Sequence, residues 1–121
     1  MHGLQGERTL MRIHIGSRDR WKDRPLYEAI VELLRAEHVA GATVFRGILG
    51  FGASARVHGA SLFQLSSDEP IVIECVDTAA QVERMLPRLD AMIGGGLVTL
   101  ERVRVIVYRA GATGSATSED P

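Results

Sequence analysis

Hydrophobic and polar residues alternate along parts of the chain, and a period of two predicts β-strands. The stretch 10–16 places three apolar side chains on one face and closes at a glycine. Residues 71–76 are almost continuously apolar, which is typical of a strand at the centre of a sheet. Residues 97–109 alternate valine with arginine over much of their length, and residues 42–49 are rich in side chains that suit a buried, pleated strand. Four strands are therefore expected.

Two other stretches repeat apolar residues every three or four positions, which predicts amphipathic helices with one buried stripe. Pro25 opens the first helix, Gly41 is expected to end it, and His38 is interpreted as a residue of its C-terminal cap. The second helix begins after Thr78, whose spacing from Gln81 fits a capping box. A proline at position 87 is expected to kink or break this second helix.

The order of these elements, β-α-β-loop-β-α-β, predicts an α+β fold of the ferredoxin-like split βαβ type (βαββαβ). In that fold two helices pack on one face of a four-stranded antiparallel sheet. We expect a single domain over residues 9–110, with flexible tails at 1–8 and 111–121. The face that the helices leave uncovered includes Val72 and Val76. Apolar residues on an uncovered face predict self-association through the sheet.

The composition excludes several classes of protein. Apolar residues make up 45% of the 121 positions and the formal net charge is −1, as in an ordinary globular chain. No basic run indicates a nucleic-acid partner and no segment approaches the length of a membrane helix, so neither nucleic-acid binding nor membrane insertion is expected. The N-terminus does not resemble a signal peptide, and a cytoplasmic location is expected. The single cysteine, Cys75, lies in an apolar strand and is interpreted as a buried structural thiol.

Two glycine clusters are the best candidates for contact with a ligand. Gly50 and Gly52 follow the second predicted strand, and Gly94, Gly95 and Gly96 precede the fourth. Glycine-rich turns expose backbone N–H groups that can hold an anion without a Cβ clash. Neither cluster forms a complete phosphate-binding motif, and a bulged strand end or an ordinary turn explains the same spacing.

No constellation of catalytic residues or metal ligands accompanies these clusters. The histidines of the domain lie on different predicted elements, without the spacing of a helical metal site. The segment 53–69 is too long for a hairpin turn, and loops of that length inside compact domains are usually functional or disordered. Trp21 lies beside several cations, where its ring would stack on a planar ligand or pin its own loop to the domain.

Several blocks of the sequence resemble a bacterial PII-like family catalogued as a domain of unknown function. These blocks are RIHIG, RPLYEAIVELLR, GATVFRGILGFG, PIVIECVD and GGLVTLERVRVI. The chain is also distantly similar to the PII nitrogen-regulatory signal-transduction proteins. The resemblance implies a ferredoxin-like fold and, by analogy with PII, a homotrimer with ligand clefts between subunits.

The same resemblance implies a set of ligand-binding residues. They are Thr43, Gly50, Gly52, Gly94, Gly95, Gly96 and Arg109. The ligand is unknown, and an adenine nucleotide is one candidate. PII proteins carry a lysine where this chain has Leu97 and a second arginine where it has Val107, which disfavours ATP held in the PII manner. The 53–69 loop would contact a partner protein, for which a membrane transporter is one candidate.

Three functions are consistent with these patterns. The first is a regulatory binding module that senses a small ligand and presents the 53–69 loop to a partner protein. The second is a small enzyme that acts on a phosphate or acyl compound, and the third is a trimeric metal-binding or scaffold protein. We favour the first and expect neither enzymatic activity nor a metal site, because glycine clusters and a long loop are present while catalytic groups are not.

Overall fold

The computed structural model describes residues 4–52 and 68–111. Most of the predicted 53–69 loop and the outer parts of both predicted tails lie outside the described residues. Within them, six strands and two helices follow one another along the chain. They are β1 (Gly6–Gly16), β2 (Arg20–Trp21), β3 (Arg24–Pro25), α1 (Leu26–Ala36), β4 (Ala42–Arg46), β5 (Pro70–Asp77), α2 (Ala79–Met92) and β6 (Leu97–Val105).

Four of the strands form one antiparallel sheet in the order β4-β5-β1-β6. Both helices pack on the same face of this sheet and share its buried core. The short strands β2 and β3 form a separate ribbon between β1 and α1. The ferredoxin-like fold predicted from the sequence is therefore confirmed.

The core lies between the sheet and the helices, and the period-two pattern determines the sheet side of it. Met11, Ile13 and Ile73 are completely buried, and their neighbours along each strand point to the uncovered face. The buried helix residues are Leu26, Ala29, Ile30 and Leu34 in α1 and Val82, Met85 and Leu89 in α2. Burial of each large aliphatic side chain contributes roughly 1.5–3 kcal/mol, so this layer is the main source of stability.

Helix α1 ends differently from the prediction. His38, rather than Gly41, adopts the left-handed conformation, with φ 65°. Its N–H donates to the carbonyl of Arg35, and the next N–H, from Val39, donates to the carbonyl of Leu34, each at 3.0 Å. These two bonds satisfy the last carbonyls of the helix in a Schellman motif. His38 thus belongs to the C-terminal cap as predicted, but it takes the position expected for a glycine.

Helix α2 begins as predicted, since the Thr78 hydroxyl accepts a hydrogen bond from the N–H of Gln81 at 3.1 Å. The Gln81 side chain does not return to the cap and instead donates to the carbonyl of Glu37 at 2.6 Å, which ties α2 to the end of α1. Of the two outcomes expected at Pro87, a kink or a break, the break is absent, because the helix continues through Pro87 to Met92. Neither helix is long and apolar enough to span a membrane.

The boundaries of two strands differ from the prediction. β1 begins at Gly6, inside the predicted flexible tail 1–8, because pairing with the end of β6 extends the strand where no apolar period exists. β6 ends at Val105 instead of continuing to residue 109, because Gly6 is the last residue of β1 that pairs with it. Backbone pairing, rather than the side-chain pattern, sets both ends.

The predicted burial of residues 42–49 is wrong for a single protomer. β4 covers only the first five of these residues, and all five are exposed. Phe45 is 48% exposed, and Ile48, which lies beyond the strand, is fully exposed. Among the described strands, β4 pairs only with β5 and forms an edge of the sheet. A periodic pattern does not show which strand becomes an edge.

Trp21 secures the ribbon to the domain. Its ring is partly buried against the core, and the Lys22 ammonium lies 5.3 Å from the ring centroid. Of the two roles considered for Trp21, the contacts in one protomer favour pinning the loop, because the side chain packs against the core.

Cys75 provides a test of the core. The thiol is 4% exposed, and burial raises its pKa to about 11, with a smaller effect from the Asp77 carboxylate. Because the thiolate is the reactive form, we expect iodoacetamide at pH 8 to alkylate the folded protein at least about 100-fold more slowly than the urea-unfolded chain. As the pH rises from about 9 to 11, the unfolded chain loses the thiol proton first, so the free energy of unfolding should fall in this window. Equal alkylation rates would contradict the buried thiol.

Candidate functional site

One end of the sheet contains a cavity of about 390 Å³. It lies where β1 ends and where β5 and β6 begin, so backbone from three strands and the chain after β4 surrounds it. The lining segments are His14–Gly16, Gly50–Gly52, Asp68–Ile71 and Gly95–Leu97, together with Asp19. A volume of this size lies in the range of small-molecule pockets, roughly 300–1,000 Å³.

Both glycine clusters contribute to the cavity, although about 40 residues separate them along the chain. Gly50 and Gly52 form part of one wall, and Gly95 and Gly96 form part of another. At Gly96 a Cβ would lie 2.6 Å from the carbonyl oxygen of His14, so only glycine allows the chain to pass this close to β1. Gly95 and Gly52 face open space, since an added Cβ would have no neighbour within 4 Å.

The other predicted site residues lie elsewhere in the protomer. Thr43 is exposed in the middle of β4, opposite Glu74, and does not line the cavity. Gly94 precedes the lining glycines but lines only a neighbouring groove beside α2. Arg109 is exposed beyond the end of β6, and β6 runs away from the cavity towards its pairing with Gly6. One protomer therefore brings together four of the seven predicted residues.

Three carboxylates surround the cavity, and the sequence analysis did not identify them. The Asp19 carboxylate accepts a hydrogen bond from the N–H of Gly16 at 3.0 Å, and Asp68 accepts one from the N–H of Arg18 at 3.1 Å. Glu69 forms an ion pair with Arg46. Neither lysine nor arginine is among the described lining residues. The sequence signal for these three acids is weak: they lie close to Gly16 or Pro70, at the ends of predicted strands.

The loop that holds these acids is fixed by backbone bonds. The N–H of Ser17 donates to the carbonyl of Glu69 at 2.8 Å, and the N–H of Glu69 donates to the Ser17 hydroxyl at 2.9 Å. The N–H of Gly47 donates to the carbonyl of Pro70 at 2.7 Å. These bonds join the chain after the 53–67 segment to the loop that follows β1, and join the chain before the segment to the chain after it. The cavity therefore lies at the base of that segment.

The uncovered face of the sheet also carries charge. Arg12, in the middle of β1, contacts Glu74 at 2.7 Å and Glu101 at 3.1 Å, and its hydrogen bond to Glu74 is the main factor that raises the pKa of the guanidinium. Phe45 and Leu97 lie on the same face and are about half exposed. Among residues 4–52 and 68–111, no group of three or more His, Cys, Asp or Glu residues is arranged to hold a metal ion.

Comparison with solved structures finds the same fold in CPII from Thiomonas intermedia K12. In that structure CPII is bound to ADP and bicarbonate. The two structures have a TM-score of 0.54 at 20% sequence identity, over 82% of this chain and 88% of that one. At this identity the similarity shows the fold alone. The fold that the two proteins share is the ferredoxin-like fold of the PII type.

The sequence profile of the DUF190 family, described as "Uncharacterized ACR, COG1993", matches residues 8–105. A UPF0166 protein of Aquifex aeolicus is 34% identical over 100 residues, which cover 83% of this chain and 94% of that protein. A UPF0166 protein of Methanocaldococcus jannaschii is 34% identical over 92 residues, with coverage of 75% and 84%. The chain belongs to the DUF190 family, and the resemblance noted in the sequence is confirmed.

Proposed function

We propose that this protein is a PII-like regulatory module that binds a small ligand in the cavity between its two glycine clusters. The observation that carries the proposal is that these clusters, distant in the sequence, line one cavity at the base of the 53–67 segment. A ligand in this cavity would contact the chain on both sides of that segment, at Gly50–Gly52 and at Asp68–Ile71. The 53–69 loop would then report the bound state to a partner protein, for which a membrane transporter in the cytoplasmic membrane is one candidate.

The chemistry of the lining restricts how a charged ligand would bind. Glycine backbone offers N–H donors and close approach, whereas Asp19, Asp68 and Glu69 repel phosphate from one side. An adenine nucleotide would therefore place its uncharged part against the protomer's own wall. Its phosphates would need cations from another copy, and Arg109, exposed at the far end of β6, is the arginine we propose for this role.

The proposed assembly is a homotrimer with ligand cavities between subunits. The uncovered sheet face carries half-exposed Phe45 and Leu97, which a second copy would remove from water. His14 and Leu97 line the cavity and also belong to this face, because Arg12 and His14 alternate with the buried residues of β1. Contact between copies on this face would therefore reach the cavity.

A pair of glycine variants tests the cavity. Gly95→Leu adds a side chain to the lining, whereas Gly41→Leu adds the same side chain outside it, and neither new Cβ meets an atom within 4 Å. With ADP as the first probe, we expect a rise in melting temperature for the wild-type protein and for Gly41→Leu, because a ligand at 100 times its Kd contributes about 2.7 kcal/mol. Gly95→Leu should fold normally and lose that rise. The same melting-temperature measurement is then repeated with AMP, ATP and uncharged adenosine.

Arg109→Ala is measured in the same series. Loss of phosphate-dependent affinity with unchanged affinity for adenosine would support a cation supplied across the subunit boundary. If no nucleotide binds, or if Gly41→Leu and Gly95→Leu lose affinity equally, the proposed nucleotide site is wrong. Slow conversion of the probe during the assay would indicate an enzyme instead.

A further inference from the structure

Two residues just beyond β4 form an apolar segment that the described residues of the protomer leave exposed. Ile48 is fully exposed and Leu49 is 67% exposed. The segment does not hang freely, because the preceding Gly47 donates its N–H to the carbonyl of Pro70 and has no room for a Cβ against the Pro70 ring. Adjacent aliphatic side chains held in water by a fixed backbone indicate a contact surface.

The opposite edge of the same sheet carries an apolar groove between α2 and β6, with a volume of about 890 Å³. Leu86 and Ile93 line it and are only partly buried, and Val98 of β6 forms part of its base. Glu83 and Asp90 lie at the groove, and neither forms an ion pair with a described residue. The α2–β6 groove therefore combines an apolar floor with unneutralised negative charge.

The two surfaces are complementary in chemistry. The apolar segment would fill the floor of the groove, and Arg46, two residues before Ile48, would face its carboxylates. Arg46 uses Nη1 for its pair with Glu69, and a guanidinium has further N–H donors for a second carboxylate. The surfaces lie on β4 and β6, the two edge strands, so a protomer cannot bring them together by itself.

We infer that the apolar segment of one copy, Ile48 and Leu49, occupies the α2–β6 groove of the next copy. Because the two surfaces differ, the contact is heterologous, and its repetition closes a ring with the uncovered sheet faces inside. The groove shares Gly95, Gly96 and Leu97 with the ligand cavity, so the docked segment would border the neighbouring cavity. This inference rests on the proposed trimeric module and names the surfaces that form it.

Disulfide cross-linking tests the contact. In the double variant Ile48→Cys with Leu86→Cys, oxidation should join each copy to the next and give one closed covalent trimer on a denaturing gel. Each single variant should remain a single chain. Within a protomer the two edge strands are three strand spacings apart, roughly 14 Å, which is beyond the reach of a disulfide. The native Cys75 is buried and should not interfere.

A control double variant, Ile106→Cys with Leu86→Cys, places the second thiol at another exposed aliphatic residue, 64% exposed, and should not cross-link. A separate variant, Ile48→Asp, should convert the assembly to monomers in light scattering without loss of secondary structure, whereas Ile106→Asp should leave it intact. Absence of the covalent trimer, equal cross-linking of the control, or an unchanged assembly of Ile48→Asp would overturn the inference.

Ligand binding is measured on the same samples, so that the two proposals fail separately. If the wild-type protein binds a nucleotide and Gly95→Leu does not, while the double variant Ile48→Cys with Leu86→Cys shows no cross-linking, the proposed function is retained and only the contact is refuted. A covalent trimer that binds no nucleotide supports the contact and refutes the nucleotide site.

Discussion

Gly96→Ala should lower the free energy of unfolding by about 1–3 kcal/mol, the usual cost of forcing atoms into a packed site. The new Cβ would lie 2.6 Å from the His14 carbonyl oxygen and 3.1 Å from side-chain carbons of Ile15 and Ile93. The carbonyl belongs to the backbone of the central strand and cannot rotate away. The start of β6 would have to move outward, which would also widen the ligand cavity. Urea denaturation followed by circular dichroism gives the change in stability.

Gly94→Ala is the matched control for this prediction. Its Cβ meets no atom within 4 Å, and its backbone is not in the left-handed region. Replacing a glycine at such a position usually stabilises by roughly 0.4–1 kcal/mol, because the unfolded chain loses conformational freedom. Equal destabilisation by the two variants would show that the glycine run acts through flexibility and that the close approach at Gly96 has no special importance.

Asp77→Ala should cost about 3 kcal/mol of stability, because hydrogen bonds to a charged group are worth roughly 1.5–3 kcal/mol each. The Asp77 carboxylate is 8% exposed and accepts two backbone hydrogen bonds. One comes from the N–H of Ala40 at 2.9 Å and the other from the N–H of Thr78 at 2.7 Å. These bonds join the loop before β4 to the start of α2. Removal of the side chain would leave both donors without their acceptor.

Asp77→Asn and Asp23→Ala complete this test, again by urea denaturation. The asparagine retains one acceptor oxygen and should recover part of the loss. Asp23 is exposed and its carboxylate pairs with no described residue, so its replacement should change stability by less than about 0.5 kcal/mol. A similar effect of Asp77→Ala and Asp23→Ala would contradict the role assigned to the two backbone bonds.

The strands and helices were predicted from the periodicity of apolar side chains. These predictions are correct where one face of an element packs against the core. Met11 and Ile13 alternate with Arg12, and the structure buries the first two while Arg12 points away from the core. The Thr78 cap was predicted from the spacing between Thr78 and Gln81. In the structure the Thr78 hydroxyl accepts a hydrogen bond from the N–H of Gln81. Both relations involve residues only a few positions apart, so a short stretch of sequence is enough to predict them.

The strand ends and the end of α1 were predicted less well, because their causes are not local. β6 stops where β1 has no further residue to pair with, although the alternation of apolar residues continues to Val107. His38 takes a left-handed conformation that glycine favours, and its two flanking bonds depend on how the chain turns towards β4. A sequence pattern indicates which residue types suit the end of a helix or strand. It does not decide which of several nearby residues takes that position.

By itself, the sequence determined the number and type of the main elements, their order, the buried faces of β1, β5 and the two helices, and the two glycine clusters as candidate sites. Only the tertiary structure brought Gly50 and Gly52 next to Gly95 and Gly96, surrounded them with three acids, and left Ile48 exposed at an edge. The physical reason is the range of the forces involved. Periodicity and capping act within a few residues, whereas a cavity or a sheet edge exists only after strands distant in the sequence have paired.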